Sequence, residues 1–150
     1  MALLTEEHRA CIGSEQSRVT IEISRRDIQK YASATEQRQR RFIAGDEAPP
    51  MFIFNLFSEI PALSDLGPDG LAVSAAGPEL PLKRVMAGGV EVRQHRPIRP
   101  GDVLVGSRKI TDLYEKQGKS GPLIFIVREL TVQTLDGEAV MEEIQTRIVR

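Results

Sequence analysis

The sequence predicts an α+β domain in which a strongly curved, antiparallel five-stranded sheet is wrapped around one central apolar helix. Three observations predict it. Five stretches alternate polar with apolar or β-branched residues, four of them in the C-terminal half and separated by turns rich in Gly and Pro. The segment Pro49 to Pro61 is almost wholly apolar. The 150 residues match the size of one ordinary domain, and 41% hydrophobic residues suffice for a single core.

Residues 17 to 23, Ser-Arg-Val-Thr-Ile-Glu-Ile, alternate with the period of a strand that buries one face. Residues 1 to 16 precede this strand as an N-terminal extension, and 17 to 150 form the single domain. Ser24 stands three residues before Asp27, a capping-box-like start, and Ile28, Tyr31 and Ala32 follow at helical spacing. A short amphipathic helix is expected from about 25 to 34. Thr35 to Ala48 is polar, with Arg38, Arg40 and Arg41 close together, and reads as a connecting loop.

In Pro49-Pro50-Met51-Phe52-Ile53-Phe54-Asn55-Leu56-Phe57-Ser58-Glu59-Ile60-Pro61 the opening prolines suit a helix N-terminus, and Pro61 stops it. As a helix, its polar residues Asn55, Ser58 and Glu59 fall at i, i+3 and i+4, one narrow stripe on a cylinder that other structure must cover. A buried strand is the competing reading, because Phe and Ile favour sheets. Residues 61 to 86 show little periodicity and form an irregular excursion. Val90 to Ile98, Val103 to Tyr114, Leu123 to Thr134 and Ala139 to Val149 then read as long strands. Pro100-Gly101, Gly118 with Ser120-Gly121-Pro122, and Asp136-Gly137 are turn signals, so consecutive strands are expected to pair as a meander.

A net charge of −1, with basic residues dispersed among acidic ones, argues against nucleic acid as a partner. The single cysteine, Cys11, has no partner for an internal disulfide and no metal-ligand spacing around it, which suits a reducing, cytoplasmic location. No run approaches the roughly 20 apolar residues of a membrane helix, and Met1 to Arg9 lacks the apolar centre of a secretory signal. A soluble protein that works away from membranes is expected.

Several local motifs, in order, resemble the MaoC-like hot-dog family, and in particular its N-terminal, fatty-acid-synthase-type dehydratase domain. They are Ala48-Pro49-Pro50-Met51-Phe52; Gly88-Gly89 leading into Val92-Arg93-Gln94-His95-Arg96-Pro97-Ile98-Arg99-Pro100-Gly101-Asp102; Ile110-Thr111-Asp112-Leu113-Tyr114-Glu115-Lys116 with the Gly118 to Pro122 turn; and the Asp136-Gly137 hairpin. The resemblance covers roughly residues 17 to 150. It implies a hot-dog fold, a ligand that is an acyl-CoA or acyl-carrier thioester, hydration or dehydration at the α,β carbons, and assembly in pairs. No metal or redox cofactor is implied, coenzyme A entering only as part of the substrate.

In the catalytic members of that family, a loop before the central helix carries an Asp and a His, and a backbone N–H at the helix start polarises the thioester carbonyl. The chemistry needs a proton carrier, a group to handle water and a donor for the enolate oxygen. Here the corresponding loop, Ala34 to Ala48, holds Glu36, Asp46 and Glu47 but no histidine, and the helix opens on two prolines that have no N–H. The two histidines are His8, ahead of the fold, and His95, in a later strand. No catalytic residue is therefore assigned, Asp46 and Glu47 being the weak candidates.

Substrate-binding candidates are Asn55 and Ser58 on the polar stripe, Gly88 and Gly89, where backbone approaches closely or turns, and Arg93, His95 and Arg96. Strand alternation puts Arg93 with His95 on one face and Gln94 with Arg96 on the other. Arginine suits a coenzyme A phosphate, although exposed sheet faces commonly carry arginine and a lone strand histidine is commonly structural. The expectation is an acyl-thioester-binding, non-catalytic subunit of a heteromeric enoyl-CoA hydratase or acyl dehydratase of fatty acid metabolism, paired with a catalytic MaoC-like subunit. The alternatives are a self-sufficient hydratase or hot-dog thioesterase that uses an unusual carboxylate, and a homodimeric acyl-CoA-binding regulatory module.

Overall fold

Apolar–polar alternation builds the sheet. In the computed structural model, which describes residues 2–54, 56–70, 72 and 78–150, five antiparallel strands form: β1 Glu15–Glu22, β2 Val85–Gln94, β3 Val103–Gly118, β4 Gly121–Thr134 and β5 Ala139–Val149. Their order is β1-β3-β4-β5-β2, with β1 and β2 at open edges. Lys119-Ser120 closes the β3–β4 hairpin between Gly118 and Gly121, and Asp136-Gly137 turns β4 into β5, with Gly137 at φ +91°.

Only β3, β4 and β5 form the expected meander. β2 pairs with β5 rather than with β3, so Pro100-Gly101 is not a hairpin between neighbours. Residues 95 to 102 instead carry the chain from edge strand β2 across to β3, which lies next to the opposite edge strand β1. They are held by His95 N–H to the Val140 carbonyl, Ala48 N–H to Ile98, Gly101 N–H to Ile23 and Ile23 N–H to Asp102, at 2.8–2.9 Å. Ile98 is 1% exposed at the centre of this crossing. Buried apolar contact and these borrowed hydrogen bonds replace the ladder that a hairpin would have formed.

Helix α1 (Glu6–Arg9) is capped by Thr5. Helix α2 spans Arg25–Ala34, and the Ser24 side chain accepts from the Asp27 N–H, as the capping pattern predicts. A further short helix, α3 (Arg40–Ile43), lies inside the expected loop and is anchored by buried Phe42. Its four residues, two of them arginine, are too few for a readable period.

The apolar segment departs from a regular α-helix. Phe52 N–H bonds the Pro49 carbonyl, Phe54 the Met51 carbonyl and Leu56 the Ile53 carbonyl, a succession of i→i+3 turns among the described residues. It is not a strand either. Two opening prolines remove donors, and tight turns still direct Phe52, Ile53 and Phe57 inward while Met51 and Phe54 stay partly exposed. Phe57 lies against bare β3 backbone, since a Cβ on Gly106 would stand 2.3 Å from the ring.

The curved sheet around this segment is the hot-dog arrangement. Its inner face holds two apolar clusters. One gathers Phe52, Ile53, Phe57, Leu104, Leu130 and Val132 with the α2 contact Ile28. The other gathers Leu113, Ile124, Ile126 and Val149 with Leu4 and Leu80, so residues ahead of β1 and ahead of β2 cover the far end of the sheet. No helix among the described residues is long and apolar enough to cross a membrane.

Candidate functional site

The inward positions of β4 read Ile124, Ile126, Arg128, Leu130, Val132. Four join the apolar clusters; Arg128, 8% exposed, separates them. Register supplies its neighbours. Arg108 on β3 and Glu143 on β5 both pair with Leu130, and Arg147 on β5 pairs with Ile126. Directly opposed residues of antiparallel strands share a face, so Arg108, Arg128, Glu143 and Arg147 form a polar seam across the inner face.

The seam is poorly neutralised. Arg108 Nη2 stands 3.9 Å from Glu143 Oε1, beyond hydrogen-bonding range, with side chains 14% and 3% exposed. Arg108 Nη1 donates to Ser58 Oγ at 3.4 Å. The Glu143 Oε2 atom is buried and accepts no hydrogen bond from the described residues. Burial, with the like charges of Arg147 and Arg108, depresses the Arg128 guanidinium to about 10. Burial, and next Arg147, likewise lower Arg108 against the pull of Glu143, and burial raises the Glu143 carboxyl against the pull of Arg108. Both charge types are disfavoured by their surroundings.

Arg147 opens into a cleft of about 200 Å³ between the apolar segment and edge strand β2, lined also by Phe54, Val90, Gly89, Met86 and Gln145. Among the described residues, no hydrogen bond or ion pair holds its guanidinium. The cleft combines an apolar wall with a half-buried cation.

The residues singled out from sequence divide. Ser58 meets the seam through Arg108, and Gly89 lines the cleft. Gly88 is the extra residue of a bulge in β2 between Ala87 and Gly89, with Gly89 at φ +154°, and a Cβ on Gly88 would press on Thr146 and Ile148 at 3.0 Å. Asn55 lies outside the described residues. Arg93 and His95 share a face, as alternation predicts, but there Arg93 binds Glu91 at 2.8 Å and His95 stands 3.6 Å from Glu142. Arg96 clamps the crossing: its guanidinium binds Asp102 at 2.9 and 3.3 Å, the Pro97 carbonyl at 2.9 Å and Glu138 at 3.3 Å. These three arginine and histidine side chains are not brought to the seam.

The loop ahead of Pro49 has its acids bound to bases, Asp46 to Arg25 and Glu47 to Arg41 at 3.2 Å. Both imidazoles are engaged elsewhere. His8 Nδ1 accepts from the Thr5 N–H at 2.9 Å, and its Nε2 lies 3.0 Å from the Glu79 carbonyl. Sequence reasoning passed over Arg108, Arg128, Glu143 and Arg147. The signal was present as a charged residue at the midpoint of an otherwise apolar inward series, Ile124 to Val132.

The family model described as FAS1-like, dehydratase domain region, matches residues 10–143. No curated protein sequence matches the chain. Among the solved structures that share the fold, three illustrate the likeness. One is the HadBC (3R-hydroxyacyl-ACP dehydratase) complex of Mycobacterium tuberculosis, at 17% identity and TM-score 0.63, covering 92% of this chain and 96% of that one. Another is the ChsH1-ChsH2 complex of the same organism, at 16% and 0.65, covering 95% and 86%. The third is a MaoC-like dehydratase of Rhodospirillum rubrum, at 17% and 0.59, covering 92% and 91%. With nearly the whole domain inside the matched region and the hot-dog topology in place, the chain belongs to the FAS1-like dehydratase domain family, the MaoC-like kinship its motifs suggested.

Proposed function

We propose that this chain is an acyl-thioester-binding, non-catalytic subunit of a heteromeric enoyl-CoA hydratase or acyl dehydratase, whose partner brings the Asp/His pair. One observation carries the reading. Where a proton carrier should stand, ahead of Pro49, there is no imidazole, and the two candidate carboxylates, Asp46 and Glu47, are ion-paired to Arg25 and Arg41. Hydration across an α,β double bond needs a group that can take or give a proton near neutrality, and a carboxylate whose oxygens are engaged by arginine is poorly placed to do so.

Two further features support pairing. The sheet ends on β2, whose strand is almost wholly exposed and carries Val85 (63% exposed), Met86 (45%) and Val90 (45%). Long apolar edges rarely stay bare, and a second hot-dog subunit adding its own edge would extend the sheet. The HadBC and ChsH1-ChsH2 structures are each complexes of two named components. A hetero-pair in which one member shapes the pocket and the other reacts fits both features, in a soluble, cytoplasmic setting with no metal or redox cofactor.

The test is hydration of crotonyl-CoA by the purified chain alone and then with candidate catalytic subunits. Activity is expected only in the mixture. Turnover by the chain alone, abolished by Asp46→Asn, Glu47→Gln or Glu143→Gln, would overturn the non-catalytic reading and favour a self-sufficient enzyme, with Glu143 a candidate because burial raises its carboxyl. A pure homodimer that binds thioesters without turnover in any mixture would favour the regulatory module.

A further inference from the structure

Five arginines outside the seam stand within 3.3 Å of an acid. Arg18 binds Glu15, Arg25 binds Asp46, Arg41 binds Glu47, Arg93 binds Glu91, and Arg96 binds Asp102 with Glu138. In the inner-face seam the acids are fewer and farther away. Three guanidinium groups, on β3, β4 and β5, face one carboxylate, and that carboxylate reaches only Arg108, at 3.9 Å. The charges acting on Arg128 from its neighbours include those of Arg147 and Arg108, which oppose its own. Arg108 donates to Ser58 Oγ at 3.4 Å, and desolvating a cation beside apolar clusters with its acid 3.9 Å away costs free energy. Arg147 is the member that reaches the cleft, and among the described residues nothing binds it.

We propose that Arg147, backed by Arg108 and Arg128, binds an anionic group of the thioester ligand, a carboxylate at the far end of the acyl chain or a phosphate of the carrier arm. The inference rests on the acyl-thioester reading above and narrows it to a substrate class. The geometry suits it in three ways. Phe54, Met86 and Val90 give the cleft an apolar wall for methylene groups. Guanidinium offers paired donors that match the two oxygens of a carboxylate or phosphate. An anion at Arg147 also meets the field of Arg108 and Arg128, both more deeply buried and so less screened than surface charges.

The experiment is calorimetric titration of the full chain with butyryl-CoA, succinyl-CoA and butyryl-pantetheine, repeated with Arg147→Gln and Arg147→Lys. Arg147 is only half-buried, so both variants should fold, and matching thermal melts check this. A carboxylate site predicts that succinyl-CoA binds at least about tenfold tighter than butyryl-CoA. A phosphate site predicts the same margin for butyryl-CoA over butyryl-pantetheine. In either case the ratio falls toward one in Arg147→Gln and lies between in Arg147→Lys.

Ratios that Arg147→Gln leaves unchanged, or ratios near one in the native chain, overturn the inference while leaving thioester binding intact. Loss of assembly with a catalytic partner in Arg147→Gln, with ligand affinities untouched, also overturns it, because the cation would then face an acid of the partner. Binding of no thioester at all removes the functional reading and this inference together.

Discussion

Two arginine-bearing regions of the molecule use the same residue to opposite effect. At the crossing, Arg96 and Asp102 are each about one-fifth exposed and bind each other by two hydrogen bonds, while Asp102 also accepts the Arg99 N–H at 2.8 Å. In the seam, Arg108 and Glu143 are more deeply buried but stand 3.9 Å apart, with one carboxylate oxygen unsatisfied. The first pair is built to hold a chain crossing in place. The second is an arrangement that folding alone does not favour, because desolvation exceeds the attraction recovered. Buried charge by itself therefore does not mark a site; charge left unmatched beside a cleft does.

The largest effect should come from breaking the matched pair. Asp102→Ala removes two charge-assisted bonds from Arg96 and the acceptor of the Arg99 N–H, and should lower the unfolding free energy by about 2–3 kcal/mol. Arg147→Gln should change stability by no more than about 0.5 kcal/mol. Urea unfolding of both variants checks the contrast. Equal losses would mean that the seam is as structural as the clamp.

A smaller effect, of opposite sign at the two places, should appear in the pH dependence. Burial raises the Asp102 carboxyl, but the Arg96 hydrogen bonds, the Arg99 N–H and the arginine charges outweigh it and hold the group below 3.8. Its stabilisation is therefore complete above 3.8 and lost as pH falls through the folded value. Burial lifts Glu143 above 4.5, and the attraction of Arg108 does not offset it. Its penalty is absent below 4.5 and grows as pH rises through the folded value. Asp102→Asn should flatten the acid-side loss, and Glu143→Gln the decline above 4.5, leaving Glu143→Gln as stable as the native chain at neutral pH or more stable by up to about 1 kcal/mol. Unfolding midpoints across about pH 3 to pH 8 test both signs; a Glu143→Gln variant that is much less stable at neutral pH would show that the carboxylate is better satisfied than its geometry implies.

The strands, the Ser24-capped helix and the two C-terminal hairpins were legible in the sequence because local period and turn chemistry set them. The pairing of β2 with β5 was not. Nothing local distinguishes Pro100-Gly101 in a crossing from the same dipeptide in a hairpin; the choice is made by Ile98 filling the core and by backbone bonds to Ile23 and Ala48, far away in the chain. The apolar segment was legible as buried but not in its local geometry, since two prolines and three inward side chains favour tight turns over a regular helix. Arginines clustered in sequence, Arg93, Arg96 and Arg99, drew notice, whereas the seam is assembled from arginines about twenty residues apart that only register brings together.

Arg93 supplies the baseline for both regions, and the smallest expected change. It sits on an exposed edge strand with Glu91 as its partner, the two side chains 62% and 59% exposed, and solvent screens such a pair. Arg93→Ala should leave the urea midpoint within error and, in the same thioester titrations, leave the succinyl-to-butyryl ratio as it is in the native chain. A loss of affinity in Arg93→Ala matching that of Arg147→Gln would move the anion-binding surface from the inner face to the outer one. If only the inner arginine responds, unmatched charge beside a cleft, rather than arginine content, is what identifies the binding face.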